Sequence, residues 1–214
     1  MTPPPRESTT PLLEQRIGAL SIQYDERVLR PRPWTAAQSE WAAVLGEEVP
    51  PGPLLELCSG AGHIGLLAAR LTGRDAVLVD ASAAACELAT LNAARNGLEE
   101  RVQIRQGDLA SALGVDETFP LVLADPPYLR SADTSRYPED PRSAVDGGRD
   151  GLEIARSCLR VAGAHLDVRG AVVLQLRDQE QAEELGDDAG PAGLRVVEIR
   201  TVAEHGALVR LAKI

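Results

Sequence analysis

Short apolar runs alternate with stretches of helical spacing from Pro53 to the end of the chain, and this alternation restricts the possible folds. Seven runs have the length and apolar content of strands, and they cover 53–58, 75–80, 101–106, 120–125, 170–176, 194–200 and 207–214. Stretches of helical spacing separate several of them, at Gly62–Leu71, Ser82–Asn96 and Gly151–Leu166. Strands that alternate with helices are typical of a parallel sheet covered by helices.

The C-terminal end departs from this alternation. Only residues 201–206 separate the last two predicted strands, which is too short a link for a crossover helix. These two strands should therefore pair antiparallel. The whole pattern predicts an α/β fold with a seven-stranded, mostly parallel sheet that ends in an antiparallel C-terminal hairpin.

The residues before Pro53 divide into two parts. Residues 1–15 are rich in proline and polar side chains and are expected to form a flexible tail. Residues 16–52 form an N-terminal extension, in which an extended segment at 20–29 precedes a helix over 35–45 with Thr35 as its N-cap. Residues 53–214 then form one larger domain. In that domain Ser82 is the expected cap of the second helix.

Composition argues against several classes of protein. No apolar run approaches the roughly 20 residues that span a bilayer, and the N-terminus lacks a signal-peptide core, so we expect a cytoplasmic protein without membrane contact. The three cysteines show no Cys-x-x-Cys spacing and no histidines cluster, which indicates neither a disulfide framework nor a metal site. The net charge of −10, with acids concentrated in 177–188, argues against a large phosphate-binding surface.

A glycine-rich turn follows the first predicted strand of the larger domain. Gly60, Gly62 and Gly65 have the spacing G-x-G-x-x-G between a strand and a helix, where glycines allow a tight turn and close approach of a ligand. Asp80 ends the next strand, where a carboxylate can accept the hydroxyls of a ribose. The pattern predicts a nucleotide-binding turn. A nicotinamide cofactor and an ordinary strand-to-helix turn are the alternatives.

The wider context of this turn resembles the first motif of the class I methyltransferases, which use S-adenosylmethionine. The resemblance rests on Glu56-x-x-x-Gly60-x-Gly62 and on Asp108, just past the third predicted strand. In that family the loop approaches the methionine part of the cofactor, so Glu56, Gly60 and Gly62 are expected to bind it. The resemblance implies that Asp80 holds the ribose and that Asp108 meets the adenine amino group. The terminal hairpin also fits the Rossmann-like fold of that family.

A second motif, Asp125-Pro126-Pro127-Tyr128, follows the fourth predicted strand. Its prolines cannot donate to a sheet ladder, and they stiffen the backbone. The segment resembles the (Asp/Asn)-Pro-Pro-(Tyr/Phe) motif of methyltransferases that modify nitrogen conjugated to a planar group. The resemblance implies that Asp125 and the Pro126 carbonyl accept the N–H bonds of this nitrogen, while the Tyr128 ring packs on the planar group. The alternative is a proline-rich turn without a role.

The sequences on both sides of this motif resemble protein-(glutamine-N5) methyltransferases of the kind that modify release factors. Residues 28–35 contain a Pro-Arg-Pro segment, which in that family lies by the cofactor, and residues 139–155 contain a Gly-Gly-x-Asp-Gly-Leu run. The resemblance implies a cofactor contact for Arg32. On the substrate side we expect Pro127, Trp34 and Tyr137.

Three features depart from the glutamine enzymes. Asp125 stands where those enzymes have asparagine, and Trp34 stands where an acid is usual. Aspartate at this position is more familiar in enzymes that act on adenine or guanine amino groups. The separate N-terminal helical domain of the family is expected to be missing, which leaves the substrate open.

The residues after the motif form a long connection. Gly147 and Gly148 are expected to make a flexible hinge. Residues 129–148 would then either close over a substrate or remain a passive surface loop.

The leading hypothesis is an S-adenosylmethionine-dependent N-methyltransferase acting on a planar amide or amino nitrogen, in first place a protein glutamine side chain or a related small amide or amine. An RNA or DNA exocyclic-amino methyltransferase is the first alternative, although the net charge of −10 and the 3% aromatic content count against nucleic-acid binding. A non-catalytic cofactor-binding subunit is the second alternative. Acceptor identity and oligomeric state stay open.

Overall fold

The computed structural model describes residues 11–109, 111–202 and 206–214. The strands in these residues are β1 Leu13–Ile17, β2 Leu20–Tyr24, β3 Leu54–Leu57, β4 Ala76–Asp80, β5 Val102–Gln106, β6 Phe119–Ala124, β7 Leu166–Leu176, β8 Leu194–Thr201 and β9 Ala207–Lys213. The helices are α1 Ala36–Gly46, α2 His63–Thr72, α3 Ala83–Arg95, α4 Arg142–Val145, α5 Glu153–His165 and α6 Gln179–Ala189.

Seven strands form one sheet in the order β5-β4-β3-β6-β7-β9-β8. The strands β5, β4, β3, β6 and β7 are parallel to one another, and β9 runs antiparallel to both β7 and β8. The prediction of a mostly parallel sheet with an antiparallel C-terminal hairpin is confirmed. Strand β7 starts at Leu166, earlier than predicted, because Leu166 pairs with Phe119 ahead of a register irregularity.

Helices cover both faces of this sheet. One hydrophobic cluster packs α1, α2, α3 and the β1–β2 hairpin on one face, and it includes Leu45, Leu67 and Leu88. A second cluster packs α5 and α6 on the other face, and it includes Leu159 and Leu185. Strand β3 is buried on both faces along its whole length, which explains its continuous apolar run around a single acid.

The N-terminal hairpin is tied to α3 by two asparagines. Asn96 Oδ1 accepts the Ser21 N–H at 3.1 Å, and Asn92 Oδ1 accepts the Gln23 N–H at 2.7 Å. Residues 1–10 of the expected tail lie outside the described residues, and the tail was predicted too long because β1 pairs with β2 from Leu13 onward. The extended segment predicted for 20–29 ends at Tyr24.

The two predicted helix caps differ in their side-chain hydrogen bonds. Ser82 caps α3 as predicted, since its Oγ accepts the Ala85 N–H. Thr35 occupies the N-cap position of α1 as predicted, but its side chain makes no capping hydrogen bond. Its hydroxyl donates to the Arg32 carbonyl at 2.7 Å, within a short 3-10 turn that precedes α1.

Helix α6 was not predicted, because its sequence was interpreted only as an acidic stretch. Its buried face consists of Gln181, Ala182, Leu185 and Ala189, and the acids occupy the solvent side. Asp178 caps the helix by accepting the Gln181 N–H at 2.8 Å. The apolar stripe is narrow, which is why the surrounding charges concealed it.

The helices of the described residues are all too short or too polar to cross a membrane. The longest, α3 and α5, have 13 residues each, against the roughly 20 that a bilayer requires. The cytoplasmic location expected from the sequence stays a prediction.

Candidate active site

The functional residues predicted from distant parts of the sequence meet at one edge of the sheet. The parallel strands β3, β4, β5 and β6 end there, and ligands of open α/β sheets bind at this edge. A cavity of about 970 Å³ opens at it, which is within the usual size range of small-molecule sites. Five of the predicted site residues line the cavity: Gly60, Asp80, Asp108, Asp125 and Pro127.

The glycine-rich turn between β3 and α2 has an unusual backbone. Cys58, Gly60 and Gly62 all have positive φ angles, of 60°, 52° and 80°. A Cβ at Gly62 would approach the Cβ of Ala89 to 3.1 Å, so glycine is needed for the packing of α2 on α3. A Cβ at Gly60 would meet no protein atom within 4 Å and would enter open space at the cavity. The turn therefore presents bare backbone to a ligand, as a nucleotide cradle requires.

Asp80 fixes this turn from the neighbouring strand. Its Oδ2 accepts the Gly60 N–H at 2.8 Å, and its Oδ1 accepts the Ser82 N–H at 2.8 Å. Each carboxylate oxygen retains a lone pair for a further donor. The carboxylate is thus held in place beside the cavity and is able to accept hydroxyl groups of a ribose.

Glu56 lies beneath the turn and is not among the residues that line the cavity. Its side chain is buried, and Oε2 accepts the Gly65 N–H at 3.0 Å, whereas Oε1 has no partner within the described part of the chain. Burial raises the pKa of Glu56 well above its ordinary value, and the nearby charges of Asp125 and Asp80 raise it further. The residue supports the cradle as a buried carboxyl group.

Asp125 directly follows β6 and its side chain lines the cavity. Burial raises the pKa of Asp125 to about 7. The group therefore changes between a protonated and an ionised form near neutral pH. Only the ionised form has all its oxygen lone pairs free to accept N–H bonds.

The remaining aromatic and basic residues predicted for the site lie away from the cavity lining. Burial raises the pKa of Tyr128 above its ordinary value, and the positive charge of Arg32 partly opposes this shift. Arg32 pairs with Asp140 at 3.2 Å, and its guanidinium lies 5.8 Å from the centre of the Trp34 ring. Tyr137 is 43% exposed. The guanidinium of Arg32 is directed to Asp140 and does not line the cavity, and its contact with the cofactor stays a prediction.

The glycines after the motif are closely packed and hydrogen-bonded in this structure, and the flexible hinge stays a prediction. Gly147 donates its N–H to the Leu129 carbonyl at 2.8 Å, and Leu129 donates to the Val145 carbonyl at 3.0 Å. A Cβ at Gly147 would lie 2.6 Å from the Pro127 carbonyl oxygen. Glycine is required here because two backbone segments pack closely. The loop is therefore hydrogen-bonded to Leu129, which directly follows the Asp125-Pro126-Pro127-Tyr128 motif.

His63 and Cys58 are among the cavity residues that the sequence-based site prediction did not include. His63 starts α2, and its Nε2 lies 3.0 Å from Thr35 Oγ1. Burial lowers the pKa of His63 to about 4, so the ring is neutral at physiological pH. Cys58 also lines the cavity, with its sulfur 3.8 Å from that of Cys158. Neither residue follows from spacing alone, since their contacts come from distant parts of the chain.

Comparisons with known sequences agree with this geometry. Residues 42–140 match the methyltransferase small domain family. The chain is 32% identical over 185 residues to the ribosomal protein uL3 glutamine methyltransferase of Bradyrhizobium diazoefficiens. This match covers 80% of this chain and 57% of that protein. It is 35% identical over 163 residues to the release factor glutamine methyltransferase of Gloeobacter violaceus, which covers 73% and 57%. The match thus spans somewhat more than half of each relative.

Solved structures share the fold. A methyltransferase from Pyrococcus furiosus has a TM-score of 0.67 at 21% identity and covers 92% of this chain and 91% of its own. The ribosomal protein L11 methylase of Lactobacillus delbrueckii has a TM-score of 0.66 at 16% identity and covers 88% and 83%. Its strand order and glycine-rich turn give the chain the fold of the class I methyltransferases. In sequence it is similar to protein glutamine methyltransferases.

The cradle makes a prediction about the pairing of Glu56 with Gly65. A Cβ at Gly65 would overlap with Glu56 Oε2, whereas a Cβ at Gly186 in α6 would only touch Val196 at 3.6 Å. Gly→Ala in a helix otherwise stabilises by about 1 kcal/mol. We expect Gly186→Ala to raise the free energy of unfolding by up to about 1 kcal/mol, and Gly65→Ala to lower it by about 1–3 kcal/mol.

Urea unfolding of both variants measures this difference. Adding Glu56→Asp to Gly65→Ala shortens the carboxyl side chain and should recover part of the lost stability. If Gly65→Ala stabilises the protein as much as Gly186→Ala does, the close contact between Glu56 and α2 is refuted.

Proposed function

We propose that this protein is an S-adenosylmethionine-dependent N-methyltransferase that methylates the side-chain amide of a glutamine in a protein. The observation that carries the proposal is a single cavity lined on one side by Gly60 and Asp80 and on the other by Asp125 and Pro127. We call the glycine-rich turn with Asp80 the cofactor cradle, and Asp125-Pro126-Pro127-Tyr128 the acceptor motif. Because the two share one cavity, a methyl donor in the cradle would lie next to an amide held by the motif. The names of the relatives, which refer to glutamine in ribosomal protein uL3 and in release factors, support this choice of acceptor.

The cradle has the features that this cofactor needs. When bound, S-adenosylmethionine supplies a methyl group on a positively charged sulfur atom. The backbone of Gly60 and Gly62 would hold its methionine part, the fixed carboxylate of Asp80 would accept the ribose hydroxyls, and Asp108 would face the adenine amino group. Glu56 would keep the turn in shape from beneath.

The acceptor motif would aim a weak nucleophile. The lone pair of an amide nitrogen is delocalised, so the nitrogen must be held close to the methyl group and in line with it. Asp125 and the Pro126 carbonyl would accept its two N–H bonds, and the Tyr128 ring would pack on the planar amide. The two prolines keep both acceptors rigid.

The Asp125 carboxylate would also stabilise the positive charge that develops on the nitrogen during methyl transfer. As the new N–C bond forms and the C–S bond breaks, the nitrogen becomes positively charged. Asp125 would stabilise this charge, and one N–H proton would then pass to its carboxylate or to water. The product is an N-methyl amide, and no separate strong base is needed.

The raised pKa of Asp125 predicts a pH dependence. Because only ionised Asp125 offers all its lone pairs, the rate of transfer should rise with pH through about 7 and then level off. Asp125→Asn keeps an acceptor oxygen without a titrating group, so its rate should be nearly constant between about pH 6 and pH 8. Asp125→Ala should lose at least about a hundredfold in rate.

Initial-rate measurements on the three proteins test this expectation. An equally flat profile for the wild type, or a rise in the Asp125→Asn profile, would contradict the role of Asp125.

Stability provides a check that needs no acceptor. Since folding raises the pKa of Asp125 from 3.8 to about 7, its contribution to stability is complete below 3.8 and is lost as pH rises through about 7. Asp125→Asn should remove that slope.

A labelling experiment tests the acceptor. Purified protein would be incubated with methyl-labelled S-adenosylmethionine and recombinant release factor, recombinant ribosomal protein uL3 or host-cell extract, with Asp125→Ala as the control. Label in a protease-sensitive fraction that disappears in the control supports the proposal. Label released by nuclease would instead make the protein a nucleic-acid methyltransferase. No label in any fraction would favour a cofactor-binding subunit.

A further inference from the structure

Two buried glutamines hold the acceptor motif, one at each end, through their side-chain amides. Gln38 in α1 is fully buried, and its Nε2 donates to the carbonyl of Ala124, the residue before Asp125, at 3.0 Å. The same nitrogen donates to the Val173 carbonyl in β7 at 2.9 Å. One amide group thus joins the end of β6 to the neighbouring strand.

Gln181 in α6 makes the matching contacts at the other end. It is 2% exposed, and its Nε2 donates to the Tyr128 carbonyl at 3.0 Å and to the Gly151 carbonyl at 3.2 Å. Its Oε1 accepts the Arg177 N–H at 3.0 Å, which fixes the orientation of the amide. Gly151 is required beside it, since a Cβ there would lie 2.6 Å from the Tyr128 oxygen.

The motif needs such external support because of its own chemistry. Pro126 and Pro127 have no N–H group, so the segment has few donors with which to fasten its backbone after the sheet ladder ends. The Ala124 carbonyl just before the motif and the Tyr128 carbonyl at its end each accept a hydrogen bond from a glutamine amide instead. Two carboxamides, each with two N–H bonds, supply these hydrogen bonds from opposite faces of the sheet.

A third buried carboxamide serves the cofactor side in the same manner. Asn92 in α3 is fully buried, and its Nδ2 donates to the Ala61 carbonyl in the glycine-rich turn at 3.0 Å. It also donates to the Gln23 carbonyl at 2.9 Å. The two halves of the cavity therefore have separate supports of the same chemical type.

We propose that Gln38 and Gln181 are positioning residues that set the acceptor motif relative to the cofactor cradle, whereas Asn92 sets the cradle itself. The role in methyl transfer rests on the proposed function. The structural part does not, because the amides hold the backbone of the motif whatever the acceptor is. The proposal therefore predicts a division of effects between the two sides of one cavity.

Isosteric variants test this division. Gln38→Glu and Gln181→Glu preserve side-chain size but replace the donor nitrogen by oxygen, which faces two carbonyls and repels them. Asn92→Asp is the corresponding change on the cofactor side. Gln179→Glu is the matched control, since Gln179 lies on the exposed face of α6 and its side-chain amide donates to Glu183.

Two measurements need no acceptor. Calorimetry with S-adenosylhomocysteine reports on the cradle, and hydrogen exchange followed by mass spectrometry compares peptides over 121–131 and 57–67. We expect Gln38→Glu and Gln181→Glu to speed exchange in 121–131 by about tenfold or more, with S-adenosylhomocysteine affinity within about twofold of wild type. Asn92→Asp should instead speed exchange in 57–67 and weaken S-adenosylhomocysteine binding, with little change in 121–131. Gln179→Glu should match the wild type in both measurements.

Kinetics with the acceptor found by labelling gives the third readout. Both glutamine variants should lower kcat by about a hundredfold with little change in KM for S-adenosylmethionine. Lowering the pH should partly restore exchange protection in the glutamine variants, because a protonated carboxyl regains one donor. A merely structural role would give this recovery too, but it would not confine the kinetic loss to kcat.

The outcomes separate the two proposals. If the glutamine variants weaken S-adenosylhomocysteine binding as much as Asn92→Asp does, or speed exchange equally in both peptides, the positioning role is overturned. If the exchange pattern divides as expected while labelling shows an acceptor other than a protein glutamine, the positioning role is supported and the proposed function fails.

Discussion

Parallel strands deliver their carboxyl ends to one edge of a sheet, and the site depends on this constraint. The glycine-rich turn after β3, the carboxylate at the end of β4 and the acid after β6 are far apart in the chain, yet all three face one cavity. The hydrogen bond from the Gly60 N–H to Asp80 joins the first two. The third is joined to its surroundings by side-chain amides from helices on both faces. An active site at a sheet edge thus depends on the layers that cover the sheet.

Three acidic residues at this edge differ in their hydrogen bonds and pKa values because their surroundings differ. Asp80 accepts two backbone N–H bonds and is held rigidly beside the cavity. Glu56 is buried beneath the turn, where loss of water and the neighbouring acids raise its pKa. Burial brings the pKa of Asp125 to about 7, close to the pH at which a cell operates. Three carboxyl groups in one region thereby acquire different properties from their environments, as expected where a site must bind one partner and activate another.

The sequence allowed the sheet, its terminal hairpin and three of the cavity-lining acids, Asp80, Asp108 and Asp125, to be predicted because each has a local signal. Strands show as short apolar runs, and Asp80 and Asp125 stand directly at strand ends. Gln38 and Gln181 have no such signal. Their contacts with the motif span 86 and 53 residues, and any polar residue on a helix could occupy these positions as far as periodicity shows. Helix α6 escaped prediction because its apolar stripe is narrow and acids surround it.

In the function we propose, one cavity aligns an activated methyl group with a planar amide nitrogen. Tandem mass spectrometry of the labelled acceptor can locate the transferred methyl group on a single atom. We expect one added methyl on the side-chain nitrogen of a glutamine, absent when the protein carries Asp125→Ala. A methyl group on a nucleobase, on a carboxylate oxygen or on a lysine amine would contradict it.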